Sequence, residues 1–508
     1  MRRGPVPLLP LAVAVFCSAG LARLLWVLVG YYMVSRAERH HLETAWMIFI
    51  AVAIAAAACL PAARWTVALP SRAVAGPAML VACIAASLLL YYRSLGVGLL
   101  SDDFVLLSLS PFAATDWQFF RPLPLVAWQL IHPLAGPAGL HVMNAALHGI
   151  NAFLVYRLTR FLLPHAAPMQ SVFAAAVFLT FPAAVEPVTW LAGVFDLAFV
   201  TAGLLYFDAL LRGARRGAAP ALLALGAALL CKETAVILPV LGWSLWFTAS
   251  PPVRTLVWST AMVIAFAAAR MLFSDPPEIS APLGYFLKEM ASRPFATLGA
   301  PFTAAELSDA PILFGLIPQL LIAGLITTYL IHRRHGLKPL LPASWILLGV
   351  APLLSYFFIS DTLQGSRYLY LPLVGWSILI AQLSDGGENR SLRISGALLV
   401  CVMVSYGLAG TVRHQSPWAS AAATRDAILV EARRAVAAHG CKAATFADLP
   451  DSLEGAYVFR NGFAEAARQA GLRVVTGDAA PAGCPFAWRD GSFVATPAAS
   501  GSDFPRTK

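Results

Sequence analysis

Residues 140–161 read LHVMNAALHGINAFLVYRLTRF. A hydrocarbon core about 30 Å thick needs about 20 mainly apolar residues in a helix, and this stretch meets that length. Its cations, Arg157 and Arg160, gather at one end. Its polar side chains, His141, Asn144, His148 and Asn151, recur at spacings of three, four and three, so they share one helical face. The reading is a membrane span with one polar stripe turned toward neighbouring helices.

Working outward, apolar stretches of similar character recur from Leu8 almost to Val412. Spans are expected over about 8–33, 44–62, 73–92, 140–161, 170–186, 195–212, 218–231, 234–249, 255–273, 311–331, 341–359, 367–384 and 393–411. The pair on either side of Lys232-Glu233 is short, and reads as two tight helices or a re-entrant hairpin. The fold class expected is an all-α polytopic membrane protein of about 13 transmembrane helices with a small C-terminal α/β extramembrane domain. Composition agrees: 59% of the 508 residues are hydrophobic and 12% charged, against about 25% charged in soluble proteins.

The formal net charge is +10. Lys and Arg fall between apolar runs instead of forming one basic stripe, which argues for membrane lipid and no nucleic acid as partner. Arg2, Arg3, Arg64, Arg72, Arg157, Arg160, Arg212, Arg254, Arg333, Arg334 and Arg390 fall on one side if the N-terminus is cytoplasmic. Loops 93–122 and 274–310, the Asp361 to Arg367 turn and the C-terminal tail then lie outside. The first apolar run is too long for a signal core and reads as a retained helix. Ala, Arg and Pro usage suggests a bacterium, with the outer face periplasmic and the membrane the inner one.

Three divisions follow: 1–92, N-terminal helices; 93–412, a transmembrane core; 413–508, a soluble non-cytoplasmic domain. In the tail a helical pattern near Ser420 to Ala438 precedes strand-like runs at Gly455 to Phe459 and Arg473 to Thr476. Cys17, Cys59, Cys83, Cys231 and Cys401 lie in apolar runs, as small hydrophobes. Cys441 and Cys484 lie in the tail, where an oxidising compartment would allow a disulfide; spacing leaves paired and unpaired readings open.

Ionisable residues at membrane depth are costly and are functional candidates where they face protein. Here they collect at outer helix ends. Asp102 and Asp103 are adjacent carboxylates just after a span; in a low-dielectric cleft both cannot ionise freely, which suits one as a general base. The plain alternative is a solvated helix cap. Arg121, Lys232, Arg270 and Arg367 lie toward the same surface, and such cations suit a lipid phosphate; the alternative is an interfacial anchor. Glu186, Asp196, Glu233, His141 and His148 complete the set as cleft-lining candidates. The histidines lack the i, i+4 zinc spacing, and helix-to-helix hydrogen bonding is the simpler role. No cofactor is expected; a divalent metal beside Asp102 and Asp103 stays open, although two carboxylates do not make a site.

Five stretches, in order, carry a family likeness: Ser101-Asp102-Asp103-Phe104; Arg121-Pro122-Leu123 with the His141 to Asn151 run; PAAVEPVTWLAGVFD from Pro182 to Asp196; Cys231-Lys232-Glu233-Thr234; and GSRYLYLP from Gly365 to Pro372. Together they resemble the glycosyltransferase C superfamily, in particular the transmembrane and tetratricopeptide-repeat O-mannosyltransferases and their bacterial relatives. The resemblance implies a polyprenyl-phosphate sugar donor, transfer with inversion in one displacement, and an acceptor protein, lipid or glycan. It casts Asp102 or Asp103 as base and Arg367, Arg270 or Lys232 as partners of the departing phosphate, with Glu186 and Asp196 flanking the cleft.

The chain departs from the family pattern in two ways. The acidic pair follows the third counted span and not the first, and the tail lacks the repeats of about 34 residues, so the acceptor is open. The run from Leu449 to Gly462 looks like the outer domain of some bacterial relatives, which would present the acceptor or close over the site. Transport of a lipid-linked sugar is the rival reading, though transporters favour midplane polar residues and inverted repeats. A glycan ligase or an inactive scaffold are further alternatives.

Overall fold

The computed structural model describes residues 72–112, 120–163, 168–212, 218–273, 340–353, 359–360, 362–384, 390–475 and 484–496, with a few isolated positions between. The expected spans 8–33, 44–62 and 311–331, nearly all of loop 274–310, and Asp361 lie outside the described residues.

Helix α1 (Arg72–Leu90) leads through a single 3-10 turn to the short α2 (Asp102–Ser108). Helix α3 (Pro122–Leu162) is long and broken: Gly136 leaves helical geometry at φ 60°, between Pro133 and Pro137. Proline lacks the amide hydrogen a helix needs and disfavours the helical region for the residue before it, so the break falls at Gly136. The stretch expected at 140–161 is therefore the second limb. The first limb, from Pro122, carries exposed Leu130 and Leu134 and extends well before the expected start.

The core continues with α4 (Pro168–Thr180), α5 (Val185–Thr189), α6 (Val194–Arg212), α7 (Ala219–Cys231), α8 (Leu238–Ser244), α9 (Val253–Phe273), α10 (Leu340–Val350), α11 (Pro372–Leu383) and α12 (Arg390–His414). Proline occupies the first or second position of α3, α7, α8 and α11, where its missing N–H has no helical partner to lose. Helix α3 is the hub, packing on α1, α4 and α6. Gly149 permits this: a methyl there would stand 2.6 Å from the Ile84 Cα and 2.7 Å from the Cys83 carbonyl oxygen. Small residues allow such close crossings in membranes.

Among the described residues three helices are long and apolar enough to cross a membrane alone: Pro122–Leu162, Leu191–Arg212 and Val253–Leu272. A fourth span results if the pair Pro168–Thr180 and Pro182–Thr189, bent by 54°, counts as one. The other expected spans meet shorter apolar helices, such as Ala219–Cys231 and Pro372–Gln382. The count of about 13 single-helix spans is thus met only in part among the described residues: the run expected at 170–186 bends at Pro182, and the division expected at Lys232-Glu233 is present, Lys232 being extended at φ −160° and ψ 139°.

The tail is the small mixed domain expected. Helix α13 (Ser416–Ala438) packs on strands β2 (Ser452–Leu453), β3 (Ala456–Tyr457) and β5 (Ser492–Ala495). Strand β1 (Ala444–Ala447) runs parallel to β4 (Cys484–Arg489), which pairs antiparallel with β5; β2 and β3 form a separate antiparallel pair, and α14 (Phe463–Gln469) follows. The strand-like runs shrink. Only Ala456 and Tyr457 of the first enter a strand, because Val458 turns its carbonyl to the core; of the second, Val474 makes a lone bridge with Ala444.

Cys441 and Cys484 form a disulfide with their Cα atoms 6.1 Å apart. It closes a loop of sequence separation 43, a constraint on the unfolded chain of about 4 kcal/mol in the chain-entropy model. Replacing both by Ser is expected to speed proteolysis of the tail at least tenfold, read by fragment mass against the oxidised protein. Equal rates in the two proteins would show the bridge contributes little.

Candidate functional site

The acidic doublet divides its work. Asp103 is fully buried; its Oδ2 accepts from the Leu100 N–H and its Oδ1 from the Ala192 N–H, both at 2.9 Å. Burial pushes this carboxyl well above the usual carboxylate range, against the pull of those two N–H groups. Asp103 thus clamps the start of α2 to the turn before α6. Asp102 is only half-buried, and its Oδ1 accepts from Asn461 Nδ2 at 2.6 Å. Of the two, Asp102 faces outward with an oxygen to spare.

Ser101, before the pair, is buried with φ 50° and ψ −120°. A non-glycine residue there is strained and persists only where its surroundings hold it. They do: its N–H donates to the Val458 carbonyl at 3.1 Å, and its Oγ accepts from the Asn461 N–H at 3.2 Å.

The bent segment between α4 and α6 carries the next pair. Glu186, 2% exposed, is ion-paired with Arg367 and also accepts from the Arg367 N–H at 3.3 Å, Ser366 Oγ at 3.4 Å and Tyr457 Oη at 3.2 Å. The Arg367 guanidinium lies over Trp190, Tyr368 and Tyr457, 5.0, 4.8 and 5.8 Å from the ring centres. Its Nη1 donates to Tyr457 Oη at 2.8 Å and its Nη2 to Tyr368 Oη at 3.2 Å. Trp190 Nε1 reaches the Leu100 carbonyl at 3.4 Å. One turn therefore joins the acidic doublet to the Glu186–Arg367 pair.

Beside it, Lys232 Nζ donates to Asp196 Oδ1 at 2.5 Å, both side chains under a tenth exposed. The helical run of α7 ends at Cys231, so the extended Lys232 turns inward toward α6. Asp196, Lys232, Thr234, Arg367, Tyr368 and Leu371 line one narrow cleft. Both cations and the Asp196 carboxylate meet there.

The remaining candidates divide. Arg121 forks onto Glu233, at 2.9 and 2.6 Å, next to Lys232 in the chain, and lies over the Phe195 ring. Arg270, near the end of α9, stacks on Phe266 of its own helix, 5.8 Å from the ring centre, and does not line the cleft. The structure also keeps His141 and His148 out of the cleft. His141 Nε2 meets the Gly98 carbonyl at 3.2 Å. His148 Nε2 donates to the Leu179 carbonyl at 3.0 Å, so its Nδ1 accepts from Tyr370 Oη at 2.8 Å. Asn144 and Asn151 donate to carbonyls across α5 and α6. The polar stripe of α3 is a set of helix-to-helix ties, and its buried histidines have no room for a ligand.

Three participants come from the tail and carry no motif: Tyr457, Asn461 and Arg425, whose Nη1 donates to the Val97 and Leu99 carbonyls at 2.8 and 2.6 Å. The sequence signal was the run Leu449 to Gly462, expected to present the acceptor or close over the site; it contains Tyr457 and Asn461 but singles out neither, and it does not reach Arg425. Among the described residues no three His, Cys, Asp or Glu side chains gather as a metal site. The site offers one accessible carboxylate near paired cations and aromatic faces, a set suited to taking a proton from a hydroxyl and receiving a phosphate.

No family model matches the chain. A Drosophila melanogaster protein named Protein O-mannosyl-transferase Tmtc2 is 32% identical over 189 residues, 30% of this chain and 20% of that protein. Another, Protein O-mannosyl-transferase Tmtc1, is 35% identical over 123 residues, 23% of this chain and 14% of that one. The chain thus spans about a fifth or less of the length of these relatives. A crystal structure of ArnT from Cupriavidus metallidurans bound to undecaprenyl phosphate aligns over 78% of this chain and 89% of its own, at 14% identity and a TM-score of 0.40, too loose a likeness to argue from. The resemblance to the transmembrane O-mannosyltransferases is accordingly one of sequence, at low identity and over part of the chain.

Proposed function

We propose that this integral membrane protein is a glycosyltransferase that moves a sugar, of hexosyl type, from a polyprenyl-phosphate donor to a hydroxyl acceptor at the outer face. The observation that carries this reading is the junction at Trp190 and Ala192. It couples the acidic doublet to the turn bearing Glu186, the carboxylate paired with Arg367.

Asp102 accepts the proton of the acceptor hydroxyl as its oxygen bonds to the anomeric carbon. The bond from that carbon to the phosphate oxygen breaks, and its electron pair leaves with polyprenyl phosphate. One displacement from the opposite face inverts the anomeric centre. Arg367 and Lys232 stabilise the departing phosphate. Glu186 and Asp196 neutralise those cations, so a bound donor phosphate must share or displace these carboxylates. Arg121 holds Glu233 and thereby orders the Lys232 turn; Arg270 acts at the lipid boundary.

No metal enters this scheme. The names of the Drosophila relatives favour mannose as the first sugar to try. The orientation proposed has the N-terminus cytoplasmic and the C-terminal domain periplasmic, in a bacterial inner membrane, with about 13 spans in all.

The test uses sealed proteoliposomes holding the full chain and a panel of polyprenyl-phosphate sugars with peptide, lipid and glycan acceptors. Transfer to an acceptor that persists in chelator is the expected result. Movement of intact donor across the bilayer without transfer would replace this reading with transport, and loss of transfer in chelator would bring a metal to Asp102.

A further inference from the structure

The C-terminal domain reaches the acidic end through Arg425, which holds the Val97 and Leu99 carbonyls, and through the strip 455–462, whose contacts are unusually specific for a docked appendage. Val458 accepts from the strained Ser101, and the Asn461 N–H donates back to the Ser101 Oγ. Gly462 has φ +80°, and a Cβ there would collide with the Ser101 carbonyl oxygen; only glycine fits both demands. Phe459 packs near Phe104, ring centres 6.4 Å apart. These contacts set the register of the strip against α2 to a single residue, and that register delivers Asn461 Nδ2 to Asp102 Oδ1 at 2.6 Å. Among the described residues this is the one hydrogen bond Asp102 makes.

We infer that Asn461 is a positioning residue of the transfer reaction, supplied by the C-terminal domain: it fixes the Asp102 carboxylate by one oxygen so that the other meets the acceptor hydroxyl. The inference rests on Asp102 being the base. An amide is suited to the task because it donates to a carboxylate without bringing a charge that would compete for the proton. The charged groups on the elements around it are Asp103 beside it, Arg425 on α13, Arg460 within the strip, the mutually paired Glu465 and Arg468 on α14, and His141 on α3. Asn461 is the one that touches Asp102.

The experiment measures release of polyprenyl phosphate by the full chain as a function of donor concentration for wild type, Asn461→Ala, Asn461→Asp and Asp102→Asn. Losing a hydrogen bond to a charged group is worth roughly a tenfold or larger drop in rate. Asn461→Ala is expected to lower kcat by that factor with donor KM unchanged. Asn461→Asp, isosteric but with no N–H to donate, is expected to lower kcat at least as far, again with donor KM unchanged. Both variants should resist proteolysis of the tail as wild type does.

If Asp102→Asn is inactive while both Asn461 variants keep the wild-type kcat, the assignment of Asn461 is wrong and the proposed function stands. Faster tail proteolysis in Asn461→Ala, with donor KM rising alongside the loss in kcat, makes the residue merely structural. If Asp102→Asn retains full activity, or wild type turns over no donor, the proposed reaction centre itself falls and takes this inference with it.

Discussion

Asp102→Asn should lower transfer more than about 100-fold, equivalent to about 2.7 kcal/mol, while leaving the fold intact. An amide at 102 keeps an oxygen for the Asn461 Nδ2 hydrogen, so the contact with the tail survives; what disappears is the basicity. Asp103→Asn makes the informative contrast. Both Asp103 oxygens accept backbone N–H groups in a dry interior, and an amide nitrogen must confront one of them. An unsatisfied buried donor costs about 1–3 kcal/mol, so this variant should unfold more readily and lose activity through misplacement of α2. Transfer kinetics and thermal unfolding of both proteins separate the cases. A fully active Asp102→Asn would remove the base from the scheme.

The second large effect is at Arg367. Arg367→Ala strands Glu186, 2% exposed, with only the Tyr457 and Ser366 hydroxyls and the backbone N–H of residue 367 to solvate it. Removing one partner of a buried ion pair costs about 3–5 kcal/mol, and transfer should fall together with stability. The two losses have different causes, and the double variant Glu186→Gln with Arg367→Met distinguishes them. Replacing both charges spares the stranded carboxylate and should recover much of the melting temperature, whereas the phosphate partner is still gone and transfer should stay abolished. Recovery of transfer in the double variant would show that Arg367 serves the fold alone.

The charged members of the site were legible in the sequence because membrane physics makes them conspicuous. Glu186, Asp196, Lys232 and Arg367 stand out against apolar surroundings, and the structure brings Asp196, Lys232 and Arg367 to one cleft, with Glu186 paired to Arg367 behind it. The stripe of α3 was equally legible: spacing placed His141, Asn144, His148 and Asn151 on one face, and that face makes the helix-to-helix ties. The adjacent carboxylates of Asp102 and Asp103 look equivalent as letters, but one residue along a helix rotates the side chain by about 100°, and that turn buries one and exposes the other.

What escaped is the part made by distant chain segments. Asn461 meets Asp102 across a separation of 359 residues, and Tyr457 meets Glu186 across 271. No local periodicity records a pairing of that kind. The paired sulfurs of Cys441 and Cys484 were undecidable for the same reason, since spacing does not fix the distance between Cα atoms. The break at Lys232 was legible, since the charged pair Lys232-Glu233 divides two short apolar runs, whereas the limb from Pro122 to the kink at Gly136 was not, because its prolines and glycines left it below the pattern of a span.

The most direct measurement is the identity of the lipid left behind when purified full-length protein is incubated with polyprenyl-phosphate sugars, determined by mass spectrometry beside Asp102→Asn. Polyprenyl monophosphate formed by the wild type and not by the variant is the predicted result. Donor recovered intact, or a polyprenyl pyrophosphate released from a lipid-linked glycan in place of the monophosphate, would contradict the account and point to transport or to a glycan ligase.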